Sequence, residues 1–233
     1  MICVEAQMKK FLKILLIILA ALAAVAVAFV VFVNTGNNGK ADLQAILPEL
    51  TELTPRAVFV GGVPQLTQPD GFTCGITTIA MTASCLGGAE VTPESLIQKY
   101  SLGGGMKNDE FVTLLSKELP GYSISYVGNL ADAELLKAIH KQLTEGYPVP
   151  VFFGAENPYH KPWYDFHASV VTGLDLDRET VDIANAYGYA ETVSLAEFLD
   201  RTSYRGGSKY PFVQRAVLRF GLMDRNSIVV IGQ

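Results

Sequence analysis

The run QPDGFTCGITTIAMTASCLGG, residues 68–88, places a cysteine where a polar, turn-prone stretch gives way to an apolar segment with helical spacing. A thiol becomes a nucleophile when its thiolate is stabilised, and the free N–H groups and dipole of a helix N-terminus do this. Cys74 holds that place, whereas Cys85 sits at the far end of the same segment, where the dipole favours the neutral thiol. Taken alone, Cys74 is better explained as a small buried side chain, so a nucleophilic role requires a base. The chain has three histidines. His140 follows Leu136 by one helical turn and reads as a structural or surface residue. His160 lies in the irregular NPYHKPWYDF, as a substrate contact or with no role. His167 opens HASVVTG, a strand pattern that can hold an imidazole rigidly.

A catalytic imidazole needs an orienting partner, and Asp182 and Asn185 are the candidates. A hairpin centred on Leu176 sets His167 opposite Asn185 and Val170 opposite Asp182. Three residues along a strand is roughly 10 Å, which removes Asp182 from reach. The oxyanion of a tetrahedral intermediate also needs donors. Gln68, six residues before Cys74, can offer its side-chain N–H beside the backbone N–H of Cys74, although an ordinary loop glutamine fits the same position.

The elements that must position these groups are legible in outline. AVFVGGV, from Ala57, is a first extended piece. The helix opening at Cys74 carries Ile76, Ile79, Ala80, Ala83 and Leu86 on one face and stops at Gly87-Gly88. Thr92 followed by Pro93 starts a second helix, Phe111 to Leu119 makes a third, and Asp132 to Glu145 a fourth, ended by Gly146. PVPVFFG, HASVVTG and ETVDIA then read as strands, the last two joined by LDLDR. Ser194-Leu-Ala-Glu197 caps a short helix, and after a mixed segment SIVVIG closes the chain as a strand. Helices followed by strands predict an α+β domain with a helical first half and an antiparallel sheet in the second.

Ahead of this domain, Ile14 to Val33 contains no charged or strongly polar side chain. Twenty residues at about 1.5 Å per residue reach roughly 30 Å, the hydrocarbon thickness of a bilayer. A cleaved signal peptide competes with this, but its apolar core is usually only about 7–15 residues long. Lys9, Lys10 and Lys13 precede the segment and only Lys40 follows closely, so the positive-inside rule places the N-terminus in the cytoplasm. The expected layout is a cytoplasmic N-terminus at 1–13, a transmembrane signal anchor at 14–33, a linker at 34–56 and an extracytoplasmic domain at 57–233, on a single-pass protein of the cell membrane. Cys74 and Cys85 on one helix would stand roughly 16 Å apart, too far for a disulfide. Two unpaired thiols outside the membrane call for an explanation, since structural cysteines there are normally oxidised. A net charge of −5 in 233 residues argues against a nucleic-acid partner.

Gln68-Pro-Asp-Gly-Phe-Thr-Cys74-Gly75 resembles the Gln-x5-Cys-Gly element of papain-like cysteine peptidases, and His167-Ala-Ser-Val-Val-Thr-Gly-Leu-Asp resembles the histidine strand of their bacterial branch, the C39-like peptidases related to the leader-peptidase domains of bacteriocin exporters. Asn185-Ala-Tyr-Gly188 is similar to the Asn-Ser-Trp-Gly of papain. The resemblance covers roughly residues 60–200. It implies a papain-like fold and a thiol hydrolase cleaving peptide or isopeptide bonds, with Cys74 as nucleophile, His167 as base, Asn185 as orienting residue, Gln68 at the oxyanion hole and Tyr187 shielding the His-Asn bond. It implies a peptide or protein substrate and no cofactor. The bacterial branch usually has Asp-Pro at Asn185-Ala186 and Cys-Gly-Pro at Cys74-Gly75-Ile76. No Walker A sequence is present, so leader-peptide export is not implied. Two other readings stay open: a γ-glutamyl or acyl transferase of the phytochelatin-synthase kind, and an inactive papain-like binding module at the cell surface. The acidic Asp175, Asp177 and Glu179 lack the glycine of a calcium loop and read as a hairpin turn. Substrate-pocket residues are expected from 103–108 and 156–165, and Tyr159, Trp163, Tyr164 and Phe166 form either an apolar wall or part of the core.

Overall fold

A computed structural model describes residues 2–36, 39–159 and 161–233. Helix α1 (Ile2–Asn34) opens the chain, and its Phe11–Asn34 portion is long and apolar enough to cross a membrane, with its most apolar stretch wholly exposed. A signal sequence would present the same helix.

Ordered packing starts before Ala57, so the tether is shorter than the sequence suggests. The Asp42 side chain caps α2 (Leu43–Ile46) by accepting from the Ala45 N–H, and a 3₁₀ turn (Leu47–Leu50) continues it. Leu43, Ile46, Leu47 and Leu50 share one face at helical spacing, and Ile46 and Leu50 are buried in the main core. The Ala41 N–H donates to Asp200 at 2.7 Å, pinning this segment to the domain.

Strand β1 (Ala57–Phe59) leads to α3 (Cys74–Gly87), α4 (Pro93–Tyr100) and α5 (Asn108–Glu118). Then come β2 (Ser123–Val127), α6 (Asp132–Thr144), β3 (Val149–Glu156), β4 (Tyr164–Asp175), β5 (Thr180–Asn185) and β6 (Tyr189–Ser194). The chain closes with α7 (Leu195–Thr202), α8 (Phe212–Arg219) and β7 (Ser227–Gly232). The strands form one seven-stranded sheet in the order β2-β7-β3-β4-β5-β6, with β1 beside the far end of β4. Every pairing is antiparallel. This is the expected α+β architecture.

Two helical layers sandwich the sheet. On β7, Ile228 packs with Leu135, Leu136 and Ile139 of α6, while Val229 and Ile231 pack with Ile79 of α3 and Leu115 of α5. That alternation is the two-residue period of a strand buried on both faces. Helix α3 is buried along Gly75–Ala83, including three threonines. Buried hydroxyls without partners would cost about 1–3 kcal/mol each. Here Thr77, Thr78 and Thr82 donate to the carbonyls of Thr73, Cys74 and Thr78, four residues back, so this polar helix can occupy a core. Gly88 ends it in the left-handed conformation, with φ 68°.

Strands β2 and β6 are the two sheet edges, and neither was foreseen in the sequence. Edge strands bury one face incompletely, so SISYV and YAETVS lack the continuous apolar run that marks β3. The segment read as mixed contains α8, in which Phe212 and Val213 are exposed and Leu218 is buried.

Candidate active site

Helix α3 packs against β4, and this crossing brings Cys74 to His167. The Cys74 thiol faces the N–H of Ala168, the residue after His167, together with the N–H groups of Gly75 and of Cys74 itself at the helix start. Those three donors favour the thiolate. Burial acts more strongly in the opposite direction, with Asp165 adding to it, and holds the thiol above its ordinary value. The helix N-terminus therefore moderates the thiol without ionising it at rest. Cys85, at the other end of α3, is raised by burial alone and donates to the Gly61 carbonyl at 3.6 Å. Both thiols are unpaired.

Asn185 is the partner of His167, reached by a different register from the expected one. Strand β4 pairs Val170 with Ala184 and Val171 with Ile183, then bulges and pairs Gly173 with Asp182. Each residue of β4 thus faces a partner two to three positions beyond the one that a turn centred on Leu176 would give it. Continuing its register sets Asn185 against Ser169, two residues along the same face as His167, and the imidazole is reached diagonally. Asp182 lies far along β5, where it accepts from the Thr192 hydroxyl at 2.5 Å.

The hydrogen bonds fix which imidazole nitrogen carries the proton. Asn185 Nδ2 donates to Glu191 at 2.7 Å, and Asn185 Oδ1 accepts from the Tyr187 N–H at 3.0 Å, so the carbonyl end of the amide faces His167. His167 Nε2 lies 2.9 Å from that oxygen and 3.1 Å from Ser169 Oγ. Nε2 is therefore the protonated nitrogen and donates, which leaves the Nδ1 lone pair free to accept a proton. The Tyr187 ring stacks on the imidazole at 4.0 Å and 15°, covering the His167–Asn185 bond.

Sequence reading missed the groups behind Asn185. Glu191 on β6 forms two 3.0 Å bonds with Arg201 of α7. Arg201 also donates to the Gly154 carbonyl at 3.2 Å and lies 4.4 Å from the Phe153 ring, which meets His167 edge-on at 5.4 Å. A carboxylate on a strand and an arginine on the next helix carry no signal by themselves. Only the fold shows that they buttress the amide of Asn185.

Gln68 is buried in the approach loop, which is stitched to the end of β5. Its backbone N–H donates to the Ala186 carbonyl at 2.7 Å, Gln65 donates to the Asn185 carbonyl at 2.8 Å, and Thr67 bridges to Tyr187. The Gln68 side-chain amide donates to the Asp70 carbonyl, and its Oε1 is buried without a partner. Gly188 permits this seam: its φ is 93°, and a Cβ there would strike the Thr67 side chain.

The other candidates fall outside this cluster. His140 is buried in α6 with Nε2 2.8 Å from the Pro55 carbonyl, a structural contact. His160 lies outside the described residues. The acidic run is a turn in which Asp175 accepts from the N–H groups of Asp177 and Arg178, and among the described residues no cluster suits a metal ion.

Cys74 and His167 line a cleft of about 400 Å³. The expected loop supplies Gly105 to Asn108, and Asp165 and Phe166 come from β4, but Tyr159, Trp163 and Tyr164 do not line the cleft. Its remaining wall includes Gln214 and Met223, from the segment that sequence left unassigned.

Burial is the main cause that lowers the His167 imidazole to about 4, with Arg201 adding to it and the Asn185 bond opposing. An unfolded imidazole titrates near 6.5. Between these values the unfolded chain binds more protons, so the domain is expected to lose stability as pH falls from about 6.5 through 4, by roughly 3 kcal/mol. Urea unfolding at a series of pH values measures this. In His167→Asn that component of the acid-side slope should vanish, and an unchanged slope would show that the imidazole does not titrate as described.

The solved structures similar to the chain include two C39-type peptidases. One is a protein described as a C39-like peptidase from Bacillus anthracis, at 16% identity and TM-score 0.45, with 74% of this chain and 96% of that one covered. The other is the peptidase domain of Streptococcus ComA, a bi-functional ABC transporter involved in quorum sensing, at 16% identity and TM-score 0.48, with 73% and 98% covered. No curated protein sequence matches the chain. The profile of the Peptidase_C39 like family spans residues 60–210, which takes in the whole hydrogen-bonded cluster from Gln65 to Arg201, and the chain belongs to that family.

Proposed function

We propose that the protein is a membrane-anchored, extracytoplasmic cysteine peptidase that hydrolyses peptide or isopeptide bonds. The observation that carries this reading is the His167–Asn185 bond, which leaves Nδ1 bare in the cleft that Cys74 lines. As the Cys74 sulfur attacks the scissile carbonyl, His167 Nδ1 takes the thiol proton. The charge moves to the carbonyl oxygen, where the Cys74 N–H and the second hydrogen of the Gln68 amide serve as donors. Collapse of this intermediate breaks the C–N bond. The imidazolium returns its proton to the leaving amine, and a thioester remains on Cys74. Water, deprotonated by the same Nδ1, then hydrolyses the thioester and restores the thiol. Asn185 holds the Nε2–H tautomer throughout. The Ile14–Val33 segment and the lysines before it support the anchored, outward placement.

Native alkylation of the full chain tests the reading. Iodoacetamide should modify Cys74 at least about tenfold faster than Cys85, because only Cys74 has a base to take its proton. His167→Ala should remove the difference. Equal rates at the two thiols in the unmodified protein, read by peptide mass spectrometry, would overturn the assignment of Cys74.

A further inference from the structure

Helix α8 lies beyond the residues the family profile matches, and its two faces do different things. Gln214 on α8 and Met223 in the turn after it line the cleft beside Cys74. The other face meets the end of α1. Phe212 and Phe220 lie 6.0 and 6.2 Å from Phe29, and Phe220 lies 5.7 Å from Phe32. Around these contacts the surface stays apolar and open: Val213 is 72% exposed, Leu222 is 74% exposed, and Phe220 is exposed despite its contacts with α1. Large apolar side chains grouped on one exposed face mark a surface that is covered in use.

The geometry indicates what covers it. Phe29 is four residues, roughly 6 Å, inside the Val33 end of the apolar span. Phe212 and Phe220 meet it at that level, and the apolar face of a helix lying in the plane of a bilayer sinks about 5–10 Å into the headgroup boundary. The basic groups sit where such a helix needs them. Arg219 lies over the Phe32 ring at 4.2 Å, and Arg215 donates to Asn34 at 2.6 Å, so both are level with the helix end, where lipid phosphates lie.

We propose that α8 and the Phe220-Gly221-Leu222 turn dock into the surface of the bilayer that α1 crosses, so that one wall of the catalytic cleft is built on a lipid-embedded foot. This rests on reading α1 as a membrane span. The partner is a lipid surface with anionic headgroups, and peptide bonds presented close to that surface are the ones the cleft can take.

The test uses the full chain, with Trp163→Phe removing its single tryptophan, in phosphatidylcholine–phosphatidylglycerol vesicles brominated near the carbonyl end of the acyl chains. Tryptophan is introduced singly as Phe29→Trp, Val213→Trp or Leu222→Trp. Docking predicts blue-shifted emission and roughly twofold or greater bromine quenching for all three variants. Quenching of Phe29→Trp with either of the others unquenched overturns the docking and leaves the span intact. An unquenched Phe29→Trp removes the span and the docking together. A blue shift at Val213→Trp and Leu222→Trp without quenching means that protein, such as a second copy of the chain, covers the face, and it overturns the proposal.

Discussion

Replacing His167 by alanine is expected to lower kcat/KM by about 10⁴, or roughly 5 kcal/mol of transition-state stabilisation, and Cys74→Ala should lower it at least as far. The size follows from the resting protonation states. Burial pushes the thiol above its ordinary value and the imidazole down to about 4, so both shifts favour the neutral forms before substrate binds. The thiolate then forms within the chemical step, by transfer to the bare Nδ1, and without His167 the cleft keeps no imidazole to take that proton. Because the two residues act as one unit, the Cys74→Ala/His167→Ala double variant should be no slower than the worse single variant. Steady-state kinetics on one peptide substrate measures all three. A double variant slower by the product of the single losses would show that the residues act independently.

Glu191→Ala is expected to have the largest effect on stability, about 3–5 kcal/mol. The Arg201 side chain is 9% exposed, and removing its bidentate partner leaves a buried guanidinium with only the Gly154 carbonyl and Glu197, at 3.9 Å, nearby. Glu191→Gln keeps an acceptor for Asn185 Nδ2 and should lose much less. The same substitution reaches the chemistry, because without Glu191 the Asn185 amide can turn and present its nitrogen to His167. Glu191→Ala should therefore lower kcat with little change in KM, while Glu191→Gln retains most of it. Urea midpoints and kinetics on the three proteins check both parts, and a Glu191→Ala protein as stable as the parent would show that the pair contributes nothing.

The candidate site was legible where its motifs place particular residue types at fixed spacing. Gln68, Cys74, His167 and Asn185 could be named from the chain, and the fold brings the last three into one corner. The reason given for choosing Asn185 over Asp182 was only half right. The bulge between Val171 and Gly173 shifts the strand register, and no local pattern announces a bulge. Asp182 is still excluded, because the shift carries it further from His167. The buttress of Glu191 and Arg201 was illegible because its members belong to a strand and a helix whose meeting is a property of the tertiary fold. Edge strands β2 and β6 and helix α8 were missed for a shared reason: each is short and only partly buried, so its pattern spans too few residues to stand out. Helix α3 and strand β3, closed in on both sides, were read almost to the residue.

The seam between residues 65–68 and 185–187 ties the loop before the nucleophile to the strand that orients the base. In the proposed mechanism the oxyanion donor and the residue orienting the base belong to one clamp, whose conformational entropy is surrendered when the chain folds. Substrate arriving at such a clamp spends none of its binding energy on ordering it, so that energy is left for the transition state.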